Sequence, residues 1–404
     1  MSELAVAPPR AAARGLSAKV SLLYAAVYLH YGVFGVFVPV WLTHRGLQPD
    51  RVGLLISAPM LLRILFVAPV TGLADRLRRI RELLFLCLAG AAALMAGLSL
   101  VQGFAALAIF FVVFSVAWDP IPILADAYAV ATVRAHSLDF GRMRVWGSLA
   151  FILANLGGGR LIDMMGIQVV PGLTAALLLA PLLVIPFLPP DRHFGDPKPS
   201  AKGEWKLLLR DMPLMLVIGA TSLIGASGGL FAVSSAIHWT AKGYSAGFIG
   251  LLSGIGIASE ICVLWVSQWL LGARSPLWLI AIGTVLIIVR WVFMAFDPPQ
   301  AMLVPLQVLQ GCGIGILAGL MLFIAQRVPV HLVSTAQGIN AVALGVIAAA
   351  ATAGSGYLWQ ACGSLGYLLM ALIATIGLSL IVLALIGSRR GEPAWSAESK
   401  ATTG

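Results

Sequence analysis

The sequence predicts an all-α integral membrane protein with twelve transmembrane helices in two six-helix halves. Three observations predict it. Of the 404 residues, 60% are hydrophobic and 10% are charged, and the mean hydropathy is +0.97. Apolar stretches of about 20 residues, the length that crosses a bilayer, recur along the chain. One long polar segment interrupts them near the middle. A soluble chain has no use for so much apolar surface, so the bilayer is the main solvent.

Apolar segments between short polar connections define the predicted spans. The first of them is too long for the apolar core of a signal peptide, so it is predicted to be retained as a helix. The predicted spans are residues 20–42, 52–73, 83–101, 105–131, 145–162, 168–188, 213–237, 248–271, 276–296, 302–326, 336–359 and 366–387.

The basic residues predict the orientation, because lysine and arginine are retained on the cytoplasmic side during insertion. Placing both termini in the cytoplasm puts about 20 of the 26 lysines and arginines there. Four basic residues fall outside and two lie within spans: Arg45, Arg51, Arg160 and Lys242, and then Arg63 and Arg290. The net charge of +10 is thus spread over short loops and does not indicate a nucleic-acid partner.

The longest polar connection, PPDRHFGDPKPSAKGEWKLLLRD from Pro189 to Asp211, separates the two predicted halves. The predicted domains are a cytoplasmic tail, a six-helix half, a cytoplasmic loop, a second six-helix half and a cytoplasmic tail. Their bounds are residues 1–19, 20–188, 189–212, 213–387 and 388–404.

An internal repeat supports the division. HRGLQPDRVGLL, from His44 to Leu55, resembles AKGYSAGFIGLL, from Ala241 to Leu252, and each copy precedes the second helix of its half. Glycine and leucine are common here, so chance similarity is the alternative. Two parallel six-helix repeats are the expected consequence.

Charged groups within predicted spans are the candidate functional residues, since a charge at mid-bilayer costs several kcal/mol and needs a partner, a wet cavity or a function. They are Arg63, Asp119, Asp126, Arg144, Glu260 and Arg290, together with His30 in the first span. Asp119 and Asp126 are seven residues apart, nearly two helical turns, and are predicted to share one face. A structural ion pair between helices is the alternative reading of these carboxylates.

Glu260 and Arg63 occupy equivalent places in the two repeat copies, which predicts similar depth in the two halves. A membrane carboxylate such as Glu260 can bind and release a proton during transport. Permanent pairing with Arg290 is the alternative. His30 and Tyr31 are predicted either to line a substrate path or to pack in the helix bundle.

Metal, cofactor and enzyme functions find no support in the sequence. The four cysteines, Cys87, Cys262, Cys312 and Cys362, are scattered and form no C-x-x-C pair. The motif H-E-x-x-H and the phosphate-binding loop are missing. We therefore predict no metal, no cofactor and no enzymatic activity, and a transport process that draws on an ion or solute gradient.

The segment GLADRLRRIRE, from Gly72 to Glu82, resembles the signature between helices two and three of the major facilitator superfamily. The resemblance implies the major facilitator fold and a loop that steadies one conformation of the transport cycle. The implied loop residues are Gly72, Asp75, Arg76 and Arg79.

Two further segments, PILADAYA (122–129) and FGRMRVWGSLAFIL (140–153), resemble the phenylpropionate permease group and lactose permease, in the oligosaccharide and nucleoside proton symporter group. This resemblance implies that Asp126 and Arg144 bind substrate and that Glu260 joins recognition to proton coupling. Arg290 looks like the family's ninth-helix arginine.

The chain departs from lactose permease in two places. The segment LQVLQGCGIG puts Gln310 and Gly313 where that group has a coupling histidine and glutamate. Phe151 stands where it has a tryptophan that stacks on sugar. We therefore expect an aromatic acid such as phenylpropionate in preference to a sugar or nucleoside.

The expected protein is a monomeric, multi-pass transporter of the inner (plasma) membrane that works by alternating access around Asp126, Arg144 and Glu260. Arg144 is expected to receive a substrate carboxylate. The other expected substrate-binding residues are Asp126, Asp119, Phe151, His30 and Tyr31. Proton-coupled symport is favoured, with sodium as the other possible ion. Proton-coupled efflux of an amphiphilic compound is the second transport hypothesis, and a non-transporting sensor or scaffold is the hypothesis from another class.

Overall fold

The computed structural model describes residues 10–77, 79–136, 138–189, 205–270, 275–329 and 332–388, and in these ranges the regular structure is helical. Short 3₁₀ turns connect or extend the α-helices in this described part of the chain. The helices are α1 Arg10–His44, α2 Pro49–Leu77, α3 Ile80–Gly97, α4 Phe104–Trp118, α5 Pro120–His136, α6 Phe140–Met165, α7 Val170–Val184, α8 Trp205–Arg210, α9 Met212–Ala226, α10 Gly229–Ala241, α11 Ala246–Leu270, α12 Pro276–Ala295, α13 Gln300–Val308, α14 Cys312–Arg327, α15 Val333–Cys362 and α16 Gly366–Ser388.

Each of the twelve predicted spans coincides with one helix or with a consecutive pair. Ten segments of the described chain are long and apolar enough to cross a membrane. The last of these, Val333–Gly387, is 55 residues long and contains both α15 and α16. Helix α2 lies at the predicted second span. The prediction of a twelve-helix membrane protein is confirmed, while the orientation of its termini stays a prediction.

The predicted fourth span is divided at Asp119, where α4 ends and α5 begins with Pro120. Proline has no backbone N–H, so Pro120 and Pro122 cannot donate the helical hydrogen bonds of their positions. Asp119 still donates its own backbone N–H to the carbonyl oxygen of Ser115, over 2.9 Å. The break therefore places an acidic side chain at a helix junction within an apolar span.

The chain forms two compact units, and each is assembled from separate parts of the sequence. Unit 1 contains Met1–Leu47, Leu62–Pro197 and Ala236–Gly254. Unit 2 contains Gln48–Leu61, Lys198–Ser235 and Ile255–Gly404. Helices α2, α10 and α11 are each divided between the units. The predicted boundaries at 188 and 213 stay a prediction, and much of the loop between them lies outside the described residues.

In unit 1, α6 packs against the start of α11 at very close range. A Cβ atom on Gly250 would collide with the carbonyl group of Asn155, and one on Gly159 with the carbonyl group of Ala246. Asp163, one turn beyond Gly159, accepts hydrogen bonds from the backbone N–H groups of Ala246 (2.7 Å) and Gly247 (2.8 Å). Its carboxylate thus caps α11 from the neighbouring helix.

Replacing Asp163 with alanine is expected to lower the stability of the folded protein by about 1 kcal/mol, because two N–H groups at the start of α11 lose their acceptors. Thermal unfolding of the detergent-solubilised protein would measure the change. Asp163→Asn keeps one acceptor oxygen and is expected to lose less. An alanine variant as stable as the wild type would contradict this role of the carboxylate.

Unit 2 contains a matching contact between the start of α2 and the end of α15. A Cβ on Gly356 would collide with the backbone of Pro49 and Asp50. One turn further along α15, Gln360 Nε2 donates a hydrogen bond of 2.8 Å to Asp50 Oδ1. The two contacts follow the internal repeat, because Gly53 and Gly250 are 197 residues apart, as are Gly159 and Gly356. In unit 2 a carboxylate on α2 receives an amide from α15, whereas in unit 1 a carboxylate on α6 receives the N–H groups of α11.

A buried ion pair also lies in unit 2, at the start of α9. Asp211 is 2% exposed and accepts a hydrogen bond from the backbone N–H of Leu214, over 2.9 Å, which caps the helix. Both of its carboxylate oxygens also accept from Arg327, at the end of α14: Nε donates over 2.8 Å and Nη2 over 3.0 Å. One side chain therefore caps α9 and joins it to α14.

Candidate functional site

Unit 1 holds Arg144 within a cluster of tyrosine rings and one carboxylate. The guanidinium carbon of Arg144 lies 4.4 Å from the ring centroid of Tyr28 and 5.3 Å from that of Tyr24, within cation–π range. Its Nε is 3.8 Å from Asp126 Oδ1, and Tyr24 Oη donates a 2.7 Å hydrogen bond to the same oxygen. The side chains of Arg144 and Asp126 are 36% and 43% exposed, so the pair is accessible.

The local sequence explains how these groups meet. Tyr24, Tyr28 and Tyr31 follow a spacing of four and three residues, which aligns them on one face of α1. Asp139 caps the start of α6 by accepting from the N–H of Arg142, over 3.1 Å. Gly147 then leaves room for the Tyr28 ring, since a Cβ there would lie 3.0 Å from its Cδ2.

His30 is fully buried. Its Nδ1 lies 3.0 Å from the carbonyl oxygen of Thr174 on α7, and its ring centroid is 4.3 Å from that of Trp118. Of the two predictions for His30, packing between helices therefore fits its position better than contact with a substrate. Tyr31 is only partly buried and lies with its ring 4.4 Å from Trp118.

Asp119, Arg63 and Phe151 lie in unit 1 as well. One carboxylate oxygen of Asp119, Oδ2, is buried and has no hydrogen-bond partner within the described residues. Arg63 is exposed on α2, and its positive charge acts on Asp119. Phe151 is partly exposed and lies seven residues, close to two turns, beyond Arg144 on α6.

Unit 2 contains a cavity of about 370 Å³ that is lined by both Glu260 and Arg290. Its walls come from α9, α10, α11, α12, α14 and α15 and from the 3₁₀ turn Leu309–Gly311. The aromatic lining residues are Phe231 and Trp291, and Gln310 and Asn340 add amides. Of the predicted site residues, Glu260, Arg290 and Gln310 are thus brought together within one unit.

Arg290 makes its polar contacts with glutamines. The side chain is 4% exposed, and its Nη2 donates to Gln307 Oε1 (3.1 Å) and to Gln310 Oε1 (3.3 Å). The guanidinium carbon lies 4.4 Å from the Phe231 ring centroid and 4.5 Å from that of Trp291. Among the described ion pairs there is none between Arg290 and Glu260. The geometry therefore does not favour the permanent pairing considered from the sequence.

Trp291 is held from two sides. Its Nε1 donates to Ser227 Oγ over 3.0 Å, and its ring stacks on Tyr367 with centroids 5.7 Å apart and planes at 8°. Because the indole is fixed, it provides a defined aromatic surface beside the Arg290 charge.

Gln307 is a site residue that the sequence prediction missed. It is fully buried, and its Nε2 has no partner in the described part of the chain. The available signal was a second glutamine three residues before Gln310 in an otherwise apolar segment. A spacing of three residues puts both amides on one face of a helical segment. Both amide oxygens can then accept hydrogen bonds from the same cation, here Arg290.

The predicted switch loop is described only in part. Arg79 Nη1 forms an ion pair of 2.9 Å with Glu82 Oε2, and both side chains are exposed. The side chains of Gly72, Asp75 and Arg76 lie outside the described residues, so the role of this loop stays a prediction. Among the residues that the structure describes, no group of three or more His, Cys, Asp or Glu could hold a metal ion.

Comparisons with known proteins agree with this architecture. The model of the MFS_1 like family matches residues 20–369. A protein of Escherichia coli (strain K12) named "Probable 3-phenylpropionic acid transporter" is 30% identical over 363 residues, which cover 88% of this chain and 94% of that protein. The maltose permease of Geobacillus stearothermophilus is 28% identical over 376 residues, covering 90% and 93%.

Solved structures show the same fold at low sequence identity. The nucleoside transporter NupG superposes with a TM-score of 0.80 at 16% identity, covering 92% of this chain and 99% of NupG. A bacterial homolog of the human lysosomal transporter Spinster, in an inward-facing and unoccupied conformation, gives 0.75 at 13% identity, covering 93% and 97%. The fold is therefore the major facilitator fold that the sequence resemblance implied.

Proposed function

We propose that this chain, which belongs to the MFS_1 like family and is a secondary transporter of the major facilitator type, carries a small aromatic carboxylic acid together with protons. The observation that carries the choice of substrate is the 30% identity, over 94% of its length, to the protein named for 3-phenylpropionic acid. The chemistry of the two polar clusters supports it. Each unit sets one arginine among aromatic rings, a combination that suits a ligand with a carboxylate and a ring.

The proposed binding groups in unit 1 are Asp126, Arg144, Tyr31 and Phe151. Arg144 and Asp126 are accessible, and the tyrosines fix the guanidinium. We assign His30 to packing and keep Asp119 as a polar group at the helix break.

The proposed coupling groups are Glu260, Arg290 and Gln310 in unit 2, with Arg63 at the equivalent position of the repeat in unit 1. The proposed protein is a monomer of the plasma membrane. It couples the two fluxes by alternating access. Sodium is the other ion to be tested.

The maltose permease relative favours a sugar as the second candidate substrate. Purified protein in liposomes, given an imposed pH gradient, would decide between them. We expect accumulation of labelled 3-phenylpropionate and no accumulation of maltose or uridine. Accumulation of maltose alone would replace the aromatic acid with a sugar, and accumulation driven by a sodium gradient at equal pH would replace the proton. Right-side-out and inverted vesicles would separate uptake from efflux.

Replacing Glu260 with glutamine is expected to abolish proton-driven accumulation and to leave exchange of internal for external substrate measurable. The amide keeps the shape of the side chain but cannot exchange a proton at neutral pH. Glu398→Gln, in the predicted tail at residues 388–404, is the matched control. Full accumulation by the Glu260 variant would remove this carboxylate from the coupling role.

A further inference from the structure

The cavity in unit 2 contains one buried cation and one carboxylate that do not pair with each other in the described structure. Glu260 and Arg290 both line it. At about 370 Å³, the cavity falls within the range of about 300–1,000 Å³ that is typical of small-ligand sites. The lining also includes the apolar side chains of Ile287, Ile316 and Leu320. A ligand with an anionic head and an apolar ring matches a lining that contains both a cation and apolar groups.

Arg290 retains an N–H donor for an anion, at its Nε. Its described acceptors are the neutral oxygens of Gln307 and Gln310, and its Nε has no partner within the described residues. A buried cation is costly unless a negative charge compensates it. Arg144 differs, because its Nε already lies 3.8 Å from the carboxylate of Asp126. Arg290 thus has no carboxylate within ion-pair distance in the described structure, whereas Arg144 has one.

We infer that Arg290 binds the carboxylate of the substrate, and that the substrate anion binds only when Glu260 carries a proton. Two carboxylates in one low-dielectric cavity would repel each other and compete for a single guanidinium. Protonation of Glu260 removes the competitor. One proton therefore accompanies each anion, and binding alone enforces the coupling. This inference rests on the proposed function, since it requires a carboxylate substrate.

The surroundings leave Glu260 as the group that titrates in this cavity. The other titratable groups that act on Arg290 are Cys312 and Tyr367, and both residue types are ordinarily neutral at physiological pH. Gln310, Asn340 and Ser227 add polar but uncharged groups. Gln310 stands where the resemblance to lactose permease expects a coupling histidine, so this mechanism accounts for coupling without that side chain.

Equilibrium binding of 3-phenylpropionate to the purified protein in nanodiscs, between about pH 6 and pH 8.5, would test the inference; the ligand's own carboxyl is ionised throughout that range. We expect affinity to fall with rising pH, approaching about tenfold per pH unit where Glu260 loses its proton. Glu260→Gln is expected to bind with pH-independent affinity, at least about tenfold tighter than the wild type at the alkaline end.

Arg290→Gln is expected to lose more than about tenfold in affinity for the anion and much less for the neutral analogue 3-phenylpropionamide. Arg142→Gln, on an exposed side chain of α6, is the matched control and should keep the wild-type pH profile. Size-exclusion profiles and thermal unfolding of each variant would verify folding. Should Arg290→Gln fail to fold, the pH profiles of the wild type and Glu260→Gln still decide the question.

A wild-type affinity that does not change with pH, a Glu260→Gln variant that keeps the pH dependence, or an Arg290→Gln variant with wild-type affinity for the anion would each overturn the inference. In all three cases carboxylate transport, and with it the proposed function, would stand. Failure of the wild type to bind or transport any carboxylate would instead overturn the proposed function.

Discussion

Replacing Gly356 with leucine is expected to destabilise the protein severely and to abolish its transport. A Cβ atom at this position would overlap the backbone of Pro49 and Asp50, which cannot rotate away as a side chain tip can. Helices α2 and α15 would have to separate, and the hydrogen bond from Gln360 to Asp50 would be lost with them. The amount of folded protein after solubilisation, its melting temperature and its uptake activity measure the effect.

Gly354→Leu is the matched control on the same helix. Gly354 is exposed, and a Cβ atom there would meet nothing within 4 Å. Both variants add the same side chain two residues apart, so helix propensity and added hydrophobicity are equal. A Gly356→Leu protein as stable and active as the Gly354→Leu protein would show that the close approach of α2 to α15 is not required.

Replacing Asp211 with alanine is expected to cost about 3–5 kcal/mol of stability, the range for removing one partner of a buried ion pair. The change leaves the Arg327 guanidinium, which is only 12% exposed, without its acceptor and removes the cap of α9. Thermal unfolding in detergent measures the loss. Adding Arg327→Met to Asp211→Ala should recover part of the stability, because the unpaired charge is then gone.

The exposed pair between Arg79 and Glu82 gives the comparison. Its side chains are 64% and 62% exposed, so Glu82→Ala is expected to change the melting temperature little. If the Asp211 and Glu82 variants lost the same amount, the burial of the Asp211 pair would contribute nothing to stability.

The helices themselves were predictable because the bilayer imposes a simple requirement. A span must be long, apolar and internally hydrogen-bonded, and each property can be read from a local stretch of sequence. The interruption of the predicted span 105–131 at Asp119 coincides with Pro120 and Pro122, which lack the backbone N–H groups of a regular helix. The division of α2 and α11 between the two units was not predictable, because it depends on contacts with helices distant in sequence, such as those of Gly53 with α15 and Gly250 with α6.

The polar residues of the site were found for the same physical reason, since charges in apolar spans stand out. Arg144 and Asp126 stand out in this way and lie together, and so do Glu260 and Arg290, which line one cavity. Gln307 does not stand out, because an uncharged amide is a weaker signal.

The partners and orientations of individual side chains could not be predicted from the sequence either. His30 was a candidate on the strength of its residue type and its position within a span. Its burial against Thr174 and Trp118 follows from the packing of α1 with α7 and α4, which no local pattern encodes.

The division of α2 and α11 constrains the order in which the protein can be made. Residues 48–61 leave the ribosome early, yet they belong to a unit whose remaining parts begin at residue 198. Unit 1, in turn, is incomplete until residue 254 has been synthesised. During translation the first part of α2 is therefore made before α15. Until α15 has been made, Gly53 lacks the helix against which it packs. Unit 1 has all its parts once residue 254 has been made, whereas unit 2 also needs the helices that follow, so unit 2 is the later of the two to be completed.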